Sequence, residues 1–232
     1  MICSCMQSKK ILISSILVIL IIGSFSLLAY NNQNDALQNS VKLGLKSTAG
    51  VMATQISPKD LAGLKPGDEG SEQYMAITQK LRTLRSMDDK ILNAYILKVN
   101  PDQTVTFLVD DLYPDDPQGS ARIGEVSTVP DKRDILLALS GSTTSKEPYT
   151  TRYGSFMTAY APIDDAVQGS TGNTYAVLAI DVSATGYTNY TSRGGLILLT
   201  GFISMILAVG AIFWFGSKRD DEEKNSGKKS NG

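Results

Sequence analysis

Asp110 and Asp181 stand where two apolar runs, Phe107-Leu108-Val109 and Ala176-Val177-Leu178-Ala179-Ile180, give way to a carboxylate. An acid at the end of a buried strand can fix a ligand amine or hydroxyl inside an apolar cleft. It can equally be a turn residue that hydrogen-bonds its own backbone. Tyr95, Tyr113, Tyr153 and Tyr160 are the aromatic candidates, able to stack on a ligand or hydrogen-bond it, or to pack with a satisfied hydroxyl. Arg122 and Arg152 are the nearest loop cations for a carboxylate ligand, and plain solvation is the other reading of both.

Other chemistry is thinly represented. The chain has no histidine, which removes the commonest general base and metal ligand, and with them His-based triads and zinc-hydrolase motifs. No Gly-x-Ser-x-Gly elbow or phosphate-binding Gly-Lys-Ser/Thr loop occurs. Two carboxylates of the kind used in glycoside hydrolysis can be drawn from any acid-rich chain and mean nothing without a motif. The sequence therefore assigns no catalytic residue, metal or cofactor, and a protein that is not an enzyme is expected. Asp110, Asp111, Asp115 and Asp116 cluster without the spacing of a helix-loop-helix calcium site. A solvated acidic loop is the expectation there. The net charge of -1 leaves no electrostatic footprint for nucleic acid.

The elements that must position these residues are bracketed by apolar segments at 11–30 and 194–215, neither containing a charged side chain. About 20 apolar residues cross a bilayer core as a helix. Lys9 and Lys10 precede the first segment, and Lys218 and Arg219 follow the second, whereas the residues just inside the bracket lack Lys and Arg until Arg193. The positive-inside bias then puts residues 1–10 and 216–232 in the cytoplasm and 31–193 outside it. A cleaved signal is the poorer reading: the apolar run exceeds the roughly 7–15 residues of a signal core, and Ala29-Tyr30-Asn31 is not a small-x-small site. Cys3 and Cys5 precede the first span, so the external region holds no disulfide and depends on its own core. They read as acylation sites beside a span or as reduced bystanders. Asn189-Tyr190-Thr191 matches a glycosylation sequon but lies close to the second span.

Within the external region, Leu37, Val41, Leu45, Thr48, Met52 and Ile56 recur at helical spacing and predict a helix over 34–56, stopped by Ser57-Pro58. A turn-rich loop follows, then a helix over 71–87 with Tyr74, Ile77, Leu81 and Leu84 on one face. The period then becomes extended. Residues 91–99 and 104–109 read as a hairpin joined by Asn100-Pro101-Asp102-Gln103. A short helix is predicted over 130–139 and two strands over 155–163 and 174–182. The last strand is apolar at both alternating sets and should be covered on both faces.

The succession Phe107-Leu108-Val109-Asp110, Ile123-Gly124-Glu125, Ala138-Leu139-Ser140-Gly141, Tyr153-Gly154-Ser155, Tyr160-Ala161-Pro162-Ile163 and Ala179-Ile180-Asp181-Val182 resembles a single Cache domain. This is the PAS-like extracytoplasmic sensor module of prokaryotic receptors. The resemblance covers about the whole external region and implies an α+β fold, a long N-terminal helix leading to a central antiparallel sheet, plus two transmembrane helices. It also implies a small ligand between the sheet and the loop over it, such as a carboxylate or an amino acid. The Arg-rich helix and the Tyr-Asp set of amino-acid-binding double-Cache members are not found, which leaves the ligand class open.

The expected function is a membrane-anchored extracytoplasmic sensor, with ligand-binding residues drawn from Tyr95, Asp110, Tyr113, Tyr153, Tyr160 and Asp181. Its expected partners are the ligand, the membrane, a cytoplasmic signalling protein, and a second copy paired through the helix over 37–56. Residues 216–232 read as a disordered tail with no output module. A separate cytoplasmic protein then receives the signal, or the domain works outside the cell, or the chain is a fragment of a longer receptor. The rival is a structural or assembly protein whose external region binds another protein.

Overall fold

The change of hydrophobic period at Ile91 marks where helices give way to sheet. A computed structural model describes residues 2–163, 176–191 and 195–229. The chain divides into two units, Gln38–Tyr190, and Met1–Leu37 with Thr191–Gly232. Thr174 and Tyr175, expected to open the last strand, and Arg193 and Gly194 at the second span lie outside the described residues.

Helix α1 runs Ile2–Ala53 and α6 Gly195–Lys229. Both are long and apolar enough to cross a membrane, with mean hydropathies of 2.6 and 2.2 in their apolar parts. The helix expected over 34–56 is the later part of α1 and ends earlier, at Ala53. Its last turn tightens into bonds from Gln55 N to Met52 O and from Ile56 N to Ala53 O, both 3.1 Å. The tail expected to be disordered is helical through Lys229. Its Lys, Arg, Asp and Glu run is made of residues a helix tolerates, and elongating an existing helix avoids the nucleation cost.

In the unit Gln38–Tyr190, Ser57-Pro58 ends α1's run and also starts a short helix α2 at Pro58–Leu61. Ser57 accepts a bond from Lys59 N, and Pro58 sits in the first turn, where its missing N–H costs nothing. Helix α3 spans Glu72–Arg85, capped by Ser71 Oγ accepting from Tyr74 N at 3.2 Å. Strands β1 (Ile91–Val99) and β2 (Val105–Asp110) form the hairpin. Helix α4 covers only Arg133–Leu137 of the expected 130–139, because the Asp131 carboxylate accepts from Arg133 N at 3.0 Å and delays the first turn. Strands β3 (Thr143–Thr144) and β4 (Tyr149–Thr151) were not foreseen. Strands β5 (Gly154–Pro162) and β6 (Ala176–Ser183) follow, and α5 occupies Ala184–Thr191.

The strands make one sheet in the order β2-β1-β6-β5-β3, with β4 also on β5, and every pairing is antiparallel. The first hairpin thus lies beside the last strand, a PAS-like order, within the central antiparallel sheet that the sequence resemblance implied. Alternation along the strands divides two cores. On one face Ala94, Ile96, Ala159, Leu178 and Ile180 meet Ala49, Met52 and Ala53 of α1 and Tyr74, Ile77 and Leu81 of α3. On the other, Tyr95, Leu97, Phe107, Tyr160, Val177 and Ala179 gather with Ile135 and Ala138. β6 is therefore covered on both faces, as its unbroken apolar run requires.

Candidate functional site

The second face carries the chemistry. Asp181 on β6 has Asn93 of β1 and Thr158 of β5 as its direct cross-strand partners. Registry alone brings three polar side chains to one spot on an otherwise apolar surface. Asp181 Oδ1 accepts from Thr158 Oγ1 at 2.6 Å and from the Tyr95 hydroxyl at 3.1 Å, and Oδ2 accepts from Asn93 Nδ2 at 3.2 Å. The Thr158 proton is thereby committed to Asp181. Tyr149 must then donate to Thr158 Oγ1, 2.6 Å away, which leaves the Tyr149 oxygen to accept from the Tyr160 hydroxyl at 3.2 Å. The result is a chain of hydroxyls all oriented toward one carboxylate.

Every donor in that chain is neutral. Asp181 is buried, and burial is the main cause that pushes its carboxyl up to about 6, against the downward pull of Thr158, Asn93 and Tyr95. Asp110 ends β2 opposite Tyr95. Burial likewise pushes it up to about 6, with the Asp111 and Glu125 charges adding to the rise. Its oxygens accept from Leu112 N at 3.0 Å and Ala121 N at 2.9 Å, so it also ties down the loop after β2. The tyrosines respond in kind. Burial raises Tyr149 to about 12 and lifts Tyr95 and Tyr160 well above the usual phenol range.

A small cleft of about 30 Å³ lies over this cluster. Asp110, Asp181, Tyr95 and Tyr153 line it, with Phe107 and Phe156 as apolar walls. No lysine or arginine is among its lining residues. The arrangement can accept hydrogen bonds from, or compensate the charge of, a donor-rich group. It has no cation to hold a carboxylate.

Four of the six residues expected from sequence thus border one cleft, and the other two do not. Tyr113 lies by the helix-side core, its ring edge-on to Tyr74 at 6.4 Å. Tyr160 is fully buried and touches the cluster from behind, its hydroxyl 3.2 Å from that of Tyr149. Arg152 is engaged with Glu125 at 2.5 Å, and Arg122 is exposed. Asn93, Tyr149 and Thr158 were missed. The triplet Tyr149-Thr150-Thr151, aromatic and β-branched just before a Gly turn into a strand, was the available signal.

The acids after β2 do separate work. Asp111 is fully buried and accepts from Arg85 Nε at 2.5 Å and Ala94 N at 3.2 Å. Asp115 pairs with Arg82 at 2.8 Å, and Asp116 Oδ1 accepts from Gly119 N at 2.9 Å. The stretch is thus an anchored loop and not simply a solvated one.

Fold and cleft together define an α+β domain of PAS-like strand order, placed in the chain between two helices of membrane-spanning length. No protein-family model and no curated protein matches the sequence. Among solved structures, the chain is similar to the ligand-binding domain of the Campylobacter jejuni chemoreceptor Tlp3 in complex with L-norvaline. The identity is 18% and the TM-score 0.37, over 73% of this chain and 64% of that one. It is also similar to the periplasmic domain of RsbU from Chlamydia trachomatis, at 12% identity and TM-score 0.34, over 71% of this chain and 58% of that one. The chain therefore spans about three fifths of the length of either structure. At these TM-scores neither bears on ligand or partner, and the fold assignment rests on the strand order.

Proposed function

We propose that this chain is a membrane-anchored sensor whose unit Gln38–Tyr190 lies outside the cytoplasm and binds a small molecule in the cleft over Asp181. The observation that carries this reading is the pair of buried carboxylates, Asp110 and Asp181, bordering one cleft that no cation lines. A buried charge without a counter-charge is costly unless something supplies one. A ligand bearing an amine, with hydroxyl or amide groups beside it, fits the cluster better than a simple carboxylate. Binding there displaces β6 and the sheet face against α1. Both elements run on in sequence to an apolar helix, and a partner on the cytoplasmic side reads the shift. Differential binding to two arrangements supplies the signal.

The apolar stripe of the helix over 37–56, through which a second copy is expected to pair, is used within the domain. Met52 and Ile56 are buried in the domain's own core, with Val41 and Leu45 packed behind. A homodimer through α1 would use the other side, where Leu43 and Val51 are exposed.

The test is thermal unfolding of the full chain in nanodiscs with ethanolamine, alanine or acetate. A ligand at 100 times its dissociation constant adds about 2.7 kcal/mol. Stabilisation by the amines that Asp181→Asn abolishes is expected. No stabilisation by any member of a wider amine, amino-acid and carboxylate panel would sink the small-molecule reading and favour the assembly protein.

A further inference from the structure

The cleft as it stands has room for water but little more, so a ligand of several heavy atoms needs it to widen. Its lining comes in part from two segments, one with Ser127, Thr128 and Val129 and the other with Tyr149, Thr151 and Tyr153. Two polar contacts, both made to Glu125, link them. The Tyr153 hydroxyl donates to Glu125 Oε1, and Arg152 Nη2 reaches the same oxygen at 2.5 Å while its guanidinium lies 4.6 Å from the Tyr153 ring centre.

The two sides differ in how firmly they are held. Glu125 is fixed to the sheet, with Phe107 N donating to Glu125 O and Gly124 N to Phe107 O, both at 2.8 Å. Arg152 and Tyr153 sit in the turn between β4 and β5, with the Arg152 side chain 59% exposed. Next in the chain is Gly154, with φ +139, where a Cβ would fall 2.6 Å from Phe156 Cζ. Only glycine fits that backbone. The moving part and its pivot are thus adjacent in sequence. An ion pair whose arginine is largely exposed and whose carboxylate is 25% exposed is among the weaker contacts in a fold, and so among the easier to open.

We propose that the contact of Arg152 and Tyr153 with Glu125 is a clasp across the cleft, and that its release, with the chain turning at Gly154, admits the ligand. This rests on the cleft being the ligand site. Release of the clasp swings Tyr153 away from Phe107, on which its ring packs edge-on at 6.2 Å, and exposes the Tyr95 and Asp181 floor.

Access can be measured without knowing the ligand. Ser127 is buried and lines the cleft, so Ser127→Cys, in a full chain carrying Cys3→Ser and Cys5→Ser in nanodiscs, reports the open state through its rate of modification by aminoethyl methanethiosulfonate. Arg152→Gln and Glu125→Gln should each speed modification by about tenfold, the population change given by losing one modest polar contact. Arg152→Lys should fall between. With the clasp intact, raising the salt should speed modification by a neutral methanethiosulfonate reagent, because screening loosens an exposed pair. In Arg152→Gln that salt dependence should vanish. Equal rates in all these chains, with no salt dependence and unchanged cooperative melting, would overturn the clasp. Because the reagent reads access and not affinity, that result leaves amine-dependent stabilisation, the test of the sensor reading, free to stand or fall separately.

Discussion

Asp110 and Asp111 are neighbours in sequence whose carboxylates serve opposite sides of the domain. Asp110 borders the cleft and holds its loop through Leu112 N and Ala121 N. Asp111 is tied to α3 by Arg85, while Arg82 Nε donates to its backbone oxygen at 2.7 Å. Tyr74 of α3 completes the link, its hydroxyl 3.2 Å from both the amide nitrogen and the carbonyl oxygen of Asp110. The end of β2 therefore joins the cleft side of the sheet to a helix on the other side.

Arg85→Ala removes the counter-ion of a carboxylate with no exposed surface. Burial already pushes Asp111 up, and Arg85 is among the groups pulling it down. Leaving one member of a buried pair alone costs about 3 kcal/mol. Urea unfolding at pH 7 should show a loss of that size, smaller at pH 5, where Asp111 takes up a proton more readily. A loss under about 0.5 kcal/mol, the size of an ordinary surface substitution, would mean that the pair does not hold α3 to β2.

The cleft acids predict an unusual pH profile. Asp181 and Asp110 rise to about 6 on folding, above the unfolded carboxylate value of about 4. The folded chain thus binds more protons than the unfolded one in that window. Stability from these groups is full below about pH 4 and is lost as pH rises through 6. Asp111 acts in the same direction, whereas Asp131, held down at about 2 by Arg133, acts oppositely but is exposed. The melting temperature should therefore rise as pH falls from 7 to 5. Asp181→Asn should flatten that rise and be more stable than the parent at pH 7, by on the order of 2 kcal/mol. A parent that melts lower at pH 5 than at pH 7 contradicts this.

Much of this arrangement was written in the sequence, and the losses have physical causes. β1 is found at the expected 91–99, and α3 begins at its Ser71 cap, because a sharp change of period and a hydroxyl cap are local signals. β3 and β4 have two and three residues, too few for any period, and exist because β5 offers them an edge. Tyr149 was lost with β4. Asn93 and Thr158 meet Asp181 only through strand registry, a long-range fact with no local trace. Tyr113 and Tyr160 fail as lining residues because aromatic identity does not say which face, or which depth, a side chain takes.

Gly154 tests the backbone beneath the proposed clasp. A side chain there meets both a left-handed φ of +139 and the Phe156 ring. Gly154→Ala should destabilise the chain by about 2 kcal/mol in chemical denaturation. Adding Phe156→Leu relieves the crowding and leaves the φ strain, so it should recover part of that cost. Full tolerance of alanine would show that the turn can adopt another course.

Trp214 is the chain's single tryptophan. It lies in α6 with Phe213 and Phe215, at the end of the apolar stretch Leu198–Phe215, and its side chain is exposed. Lys218 and Arg219 follow within the next turn. Aromatic residues followed by basic ones mark the boundary between lipid tails and headgroups, and the basic residues favour the cytoplasmic face. Fluorescence of the full chain in nanodiscs should show Trp214 emission shifted to the blue of a water-exposed indole. Quenching should be stronger by lipids brominated near the headgroup than by lipids brominated near the tail ends. With the orientation proposed for the chain, a membrane-impermeant quencher added outside sealed, uniformly oriented vesicles should leave the emission unchanged, and the same quencher trapped inside should reduce it. The reverse pattern would put the Gln38–Tyr190 unit in the cytoplasm, where its cleft would meet a different pool of ligands.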